Sequence, residues 1–123
     1  MRIARKFLRL AKRYENRMKN FHDDMMDNRD FHITQMREVM KSIQLSLDVL
    51  YKELENWADA IQSVYEVDKF NNIFERIELV FLKKYVNEKY SRTLKKITIT
   101  EDAKKRLKNV LNKLEVMNAF RRI

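Results

Sequence analysis

The stretch FHITQMREVMKSIQLSLDVLYKELENWADAIQSVY, residues 31–65, decides the fold. Ile33, Met36, Met40, Ile43, Leu47, Leu50, Leu54, Trp57, Ile61 and Val64 follow one another in alternating steps of three and four. That rhythm, held for more than four heptads, belongs to a helix with one buried stripe. Val39, Tyr51, Ala58 and Ala60 widen the stripe, which suits a bundle better than a two-stranded coiled coil. At 1.5 Å per residue such a helix is roughly 50 Å long. It exceeds the other helices expected here, so it must kink, overhang them or pack against another subunit.

The surroundings of this stretch agree with it. The 123 residues contain no Gly, no Pro and no Cys. Chains rich in strands and tight turns need Gly for positive φ and Pro for pre-set turns. A few long helices joined by short Asn/Asp turns need neither. The length fits one domain with one modest core, so residues 1–123 are read as a single helical domain.

Upstream, Ile3, Phe7, Leu10, Tyr14, Met18, Phe21 and Met25 recur at a helical period, predicting a first helix from about Ile3 to Asp27. Its other faces are basic. Arg2, Lys6, Arg9, Arg13 and Arg17 form one flank, and Arg5, Lys12 and Lys19 cover the far side. Asp27-Asn28-Arg29-Asp30 is the first candidate break, with Asp30 as a possible cap of the long helix.

Downstream, Glu66-Val67-Asp68 marks a second break, and Asp68 or Asn72 is the candidate cap. Asn72 followed by Glu75 makes a capping-box-like pair. A third helix to about Leu94 then carries Phe70, Ile73, Phe74, Ile77, Val80, Phe81 and Tyr85 on one face. Leu79 and Leu82 make its middle apolar nearly all round, which predicts the most buried stretch of the chain. Lys95-Lys96-Ile97-Thr98-Ile99-Thr100 alternates polar with β-branched residues and is expected to break the helix. Thr100 would cap a fourth helix bearing Ala103, Leu107, Val110, Leu114 and Met117. The fold class is therefore all-α, a bundle of about four helices with one overlong central helix. Helix 1 either docks as a member or projects as an N-terminal arm.

Charge is unevenly spread over the net +9. Residues 1–20 carry eight basic and one acidic side chain, residues 21–82 six and thirteen, residues 83–113 eleven and three. Basic ends flank an acidic middle, which speaks about partners rather than fold. The longest apolar run, Leu79-Val80-Phe81-Leu82, is far short of the roughly 20 residues needed to span a bilayer. No secretory core follows the N-terminus, whose Arg-rich, acid-free start is faintly similar to a mitochondrial presequence. A reducing compartment, the cytoplasm or a virion interior, is the expectation.

Enzyme motifs are largely excluded. Without Gly there is no phosphate loop or dinucleotide fingerprint, and without Cys no thiol nucleophile or thiolate metal site. His22 precedes Asp23 and Asp24, but no Glu-x-x-His or His-x-x-x-His pair accompanies it. Exposed or capping histidines are the reading, with no catalytic residue, no metal, no cofactor and no small-molecule substrate expected. The paired methionines, Met25-Met26 above all, read as core filler more than as an adaptable binding surface.

The binding candidates are two basic regions. Arg2, Arg5, Lys6, Arg9, Lys12, Arg13 and Arg17 lie within five turns, where guanidinium groups can fork onto phosphates and release counterions. Lys83, Lys84, Lys89, Arg92, Lys95, Lys96, Lys104, Lys105, Arg106 and Lys108 cluster around the expected junction of helices 3 and 4. Phe7 and Tyr14 fall on the apolar side, so backbone tracking is favoured over base stacking. The same helix 1 could lie on an anionic membrane, a weaker reading, or on an acidic protein surface. An acidic middle able to receive a neighbour's basic end suggests a homo-oligomer.

Residues 96–108, KITITEDAKKRLK, resemble the strand and first helix of a ribbon-helix-helix DNA-binding domain. The resemblance implies a strand aiming Lys96, Thr98 and Thr100 at bases in the major groove. The chain departs from that family in lacking its Gly-containing loop and second helix. In architecture alone the chain is similar to the small helical subunits of multisubunit CRISPR effectors and to the coat proteins of filamentous archaeal viruses. The expected function is non-catalytic, largely sequence-independent nucleic-acid binding within a nucleoprotein assembly. The alternative is a small phage- or viral-type helical module docking on a host complex.

Overall fold

The computed structural model describes residues 2–121, and it is all-α, without a strand among those residues. Four helices follow in order: α1 (Arg2–Asn20), α2 (His22–Asp27), α3 (Arg29–Tyr65) and α4 (Ile73–Arg121). No described residue adopts positive φ, so the missing glycines leave no strained position behind.

The first expected helix is interrupted at Phe21, whose backbone (φ −132°, ψ 46°) leaves the helical region. The Phe21 N–H still donates to Arg17 O at 2.8 Å, and its carbonyl accepts from the Met25 N–H at 3.0 Å. Asp23 and Asp24 then occupy the first turn of α2, where carboxylates favour a fresh N-terminus. The break before α3 falls at Asn28, as the Asp27–Asp30 segment suggested. Asp30 is not its cap: it sits inside the first turn, and its carbonyl accepts from Thr34 Oγ1 at 2.9 Å.

At the other turn, Asn72 is the cap of α4 and Asp68 is not. Asn72 Oδ1 accepts from the Glu75 N–H at 2.9 Å, and Glu75 Oε2 reaches back to the Asn71 N–H at 2.8 Å. The reciprocal pair satisfies two otherwise orphaned donors.

The expected break at residues 95–100 does not occur: α4 passes through it unbroken. Thr100 caps nothing. It is 1% exposed in mid-helix, beside buried Thr93 and Ile97. β-branched residues cost a helix only some tenths of a kcal/mol each, and burial outweighs that easily. The ribbon-helix-helix likeness ends here as well, because residues 96–100 form no strand. The overlong helix is present as α3, yet the fused α4 is longer still, 49 residues against 37. The overhang argument for a neighbouring subunit therefore lapses.

The chain divides into two compact units, residues 1–47 with 98–123, and residues 48–97. In the first, α1, α2, the start of α3 and the end of α4 share a core. Ala4, Ala11 and Tyr14 are buried, as are Met25, Ile33, Met36, Ile43 and Leu47, and α4 contributes buried Ala103, Leu107, Val110, Leu111 and Leu114. Met25 and Met36 are core filler, as read. Helix α1 is docked and is not a projecting arm. Tyr14 Oη donates to Gln35 Oε1 at 3.2 Å, and Arg106 on α4 reaches Glu15 at 3.1 Å. Its buried stripe is displaced from the expected one: Ala4 and Ala11 face inward, while Ile3 and Phe21 are about two-thirds exposed. Small side chains let the helix axes approach closely, and the larger ones are left at the margin.

The second unit is a helical hairpin. Val64, Leu79 and Val86 form its buried centre, with Trp57, Ala60 and Ile61 packed against them. The Trp57 and Tyr85 rings meet edge to face at 6.0 Å, and Asn87 Nδ2 donates to Tyr65 Oη at 3.0 Å. The expectation that residues 70–85 form the most buried stretch is overturned. Phe70, Ile73, Phe74, Ile77, Val80, Phe81, Leu82 and Tyr85 are all exposed. A two-helix hairpin can cover only one face of α4, and the covered face is that of Leu79 and Val86. The fullest burial lies instead at the C-terminal end of α4, between Ala103 and Leu114.

Candidate nucleic-acid interface

Helix α1 separates its chemistry by face. Ala4, Ala11 and Tyr14 point into the first unit, with Phe7, Leu8, Leu10 and Met18 half-buried around them. At 3.6 residues per turn, Arg2, Arg5, Lys6, Arg9, Lys12, Arg13 and Arg17 fill the opposite half of the helix, and all seven are exposed. Among the described residues, none of Arg2, Arg5, Lys6, Arg9, Lys12 and Arg13 enters an ion pair. Arg17 lies over the Tyr14 ring at 5.9 Å.

One edge of this face continues into a groove between α1 and the end of α4. Lys12, Asn16 and Lys19 line it from α1, and Arg106, Asn109 and Lys113 from α4, above a floor that includes Met18 and Val110. Arg106 donates Nη1 to Glu15 at 3.1 Å and Nε to Asp102 Oδ2 at 3.1 Å. The hydrogen bond to Glu15, then the charge of Asp102, holds the guanidinium still more firmly protonated than usual. Lys19 and Lys113 were not among the expected contact residues, whereas Arg106 was expected with the second basic region. Lys19 continues the α1 face by one further turn and was legible as such. Arg106 and Lys113 stand seven residues apart on one face of α4, and only the docking of α1 there gives that face meaning.

Lys104 and Lys108 belong to the same unit but to another side of α4, whereas exposed Lys105 stands on the side of Asn109, Asn112 and Val116, at the rim of the groove. Glu115, on the Lys104 and Lys108 side, is held by Arg37 of α3 at 2.7 Å. Lys104 and Lys108 therefore do not join the α1 face. Lys83, Lys84, Lys89, Arg92, Lys95 and Lys96 lie in the second unit. Lys84, Arg92 and Lys95 are exposed, on the α4 face turned away from the hairpin partner. Lys83 and Lys89 are half-buried against rings, Lys83 Nζ 4.7 Å from the Tyr65 centroid and Lys89 Nζ 5.5 Å from that of Tyr85. Lys96 is half-buried.

The histidines have different settings. His22 is exposed, with Nδ1 3.6 Å from an Asp23 oxygen. His32 is buried between the edges of Tyr14 and Phe31, and its Nδ1 has no hydrogen-bond partner. Burial, then the Arg17 charge, lowers its pKa below the ordinary 6.5 against a smaller upward pull from Asp24. Among the described residues, no group of three or more His, Asp or Glu side chains could hold a metal ion, and no helix is long and apolar enough to cross a membrane.

No protein-family model, no curated protein and no solved structure matches this chain.

Proposed function

We propose that this chain is a non-catalytic nucleic-acid-binding protein that tracks phosphates through the outer face of α1, with little dependence on sequence, as a component of a nucleoprotein assembly. The carrying observation is the segregation of α1, which presents seven exposed cations on the half turned away from its docked side. Arg and Lys free of carboxylate partners can exchange their counterions for phosphates without first breaking an ion pair. Tyr14 is buried and Phe7 half-buried on the docked side, so the basic face of α1 presents no ring for stacking a base. A duplex or structured RNA backbone suits it better than an extended single strand.

The test is fluorescence anisotropy with a random duplex of about 30 base pairs at several salt concentrations. Log affinity should fall linearly with log salt, by about 0.9 per phosphate neutralised. Replacing Arg5, Lys6, Arg9 and Arg13 by Glu should remove binding, by about two orders of magnitude or more, while helicity is kept. A variant that binds as before would show that α1 is not the contact surface.

The groove between α1 and α4 favours a second reading, an acidic amphipathic protein segment seated there. Its cations stand over apolar Met18, Val110 and Val116, as such a ligand requires. Partners recovered from lysate after nuclease digestion, and lost when Lys113 and Arg106 are replaced, would support it over the phosphate reading.

A further inference from the structure

The outward face of the hairpin is the largest feature that phosphate binding leaves unexplained. Ile73, Phe74, Ile77, Val80 and Phe81 recur with helical spacing on the side opposite the buried Leu79 and Val86, and exposed Phe70 lies in the turn just before the helix. Phe74 is 72% exposed and Phe81 69%. With Tyr85 at the margin, and at about 150–250 Å² per large apolar side chain, the exposed fractions amount to on the order of 800 Å². A typical monomer's largest apolar patch is about 300–600 Å². About 800 Å² per partner is what a stable interface of ordinary size buries.

We infer that this face is an isologous interface, on which a second copy of the chain pairs antiparallel through α4. Charge selects both the occupant and the orientation. Residues 48–97 carry nine basic and nine acidic side chains, so two copies meet without net repulsion. An anionic membrane surface would ask for a cationic excess that this unit lacks. Beyond Phe81 the same face continues as Lys84 and Glu88. A parallel pair would stack Lys84 on Lys84 and Glu88 on Glu88 along the seam. An antiparallel pair of α4 helices centred near Arg76 opposes Phe74 with Ile77 and Ile73 with Val80, and carries Phe81 toward the turn that precedes the partner's α4. It also brings Lys84 of one copy to the turn bearing Glu66 and Asp68 of the other. Each contact then occurs twice, as a two-fold axis requires.

Sedimentation equilibrium of the full chain, without nucleic acid, tests this. The expected mass is twice 15.1 kDa at tens of micromolar, persisting in high salt. Replacing Phe74 and Phe81 by Glu should weaken the dimer at least about 30-fold, the effect of losing a central hot spot, with helicity kept. Orientation is read in the Cys-free background with single cysteines. Ile77→Cys, near the axis, should form a disulfide dimer, whereas Lys84→Cys should not. A monomer at every concentration overturns the proposal, as does a dimer indifferent to the Glu pair or a monomer that binds anionic vesicles through Phe74 and Phe81. Efficient cross-linking through Lys84→Cys overturns the antiparallel arrangement. Because α1 is intact in all these variants, loss of the dimer and loss of phosphate binding are read separately.

Discussion

The two units use the same helices to opposite ends. In residues 1–47 with 98–123, apolar side chains from α1, α2, α3 and α4 close on one another, and the exposed surface is strongly basic, eighteen Lys/Arg to nine Asp/Glu. In residues 48–97 the charge is balanced, and two helical segments bury one shared stripe while a second apolar stripe remains outside. The number of helices explains the difference. A helix flanked by several neighbours can bury more than half its circumference, whereas a hairpin offers each helix a single contact line. Unit one is thus built to keep a basic face rigid, and unit two to present an apolar one.

Core deletion breaks this contrast most directly. Leu107 is fully buried in the first unit, so Leu107→Ala should cost about 2–5 kcal/mol of stability. Phe74→Ala removes a larger side chain from the second unit, yet should change protomer stability by no more than about 0.5 kcal/mol when measured below the dimer's dissociation constant. Urea titrations of both variants decide this. A Phe74→Ala loss as large as that of Leu107→Ala would mean that the exposed face serves the hairpin itself.

A smaller effect is expected at the tip of the hairpin. Asn72→Ala removes the acceptor for the Glu75 N–H and should cost about 1 kcal/mol. If the second unit is held by so thin a core, amide exchange near the start of α4 should accelerate before the first unit responds. Uniform acceleration across both units would show that they open together.

The smallest effect sharpens the comparison through pH. His32, in the first unit, has its pKa lowered by burial and by Arg17 on α1, with Asp24 on α2 opposing. The unfolded chain therefore takes up a proton more readily than the folded one. The resulting stability is fully present above the ordinary 6.5 and is lost as pH falls through the lower folded value. Melting temperature should decline between pH 7.5 and pH 5 in the native chain, and less steeply in His32→Phe.

Much of this organisation was legible in residue order. The stripe from Ile33 to Val64 names the inward side of α3 without error of phase, because periodicity reports a face directly. The Asn72–Glu75 cap was legible because capping is local chemistry over four residues. The break expected at Thr100 was misread for the complementary reason. Thr93, Ile97 and Thr100 favour the helix through burial against distant segments, and local propensity carries no trace of that. The α1 basic face was readable residue by residue. That Arg106 and Lys113 adjoin it was not, since Arg106 reaches Glu15 across 91 residues of chain and Lys113 lines the same groove.

By itself the sequence determined that the chain is helical, that its helices break within residues 27–30 and 66–72, and that one end is an amphipathic cationic helix. Absent glycine, unbroken heptads and charge spacing are all properties of neighbours in the chain. Only the tertiary structure decided which apolar stripe of α4 is covered. Periodicity marks a face as apolar, but covering it requires a partner surface. From Ala103 to Leu114 the fold supplies several helices to that end, and from Phe70 to Phe81 it supplies none on the outer side.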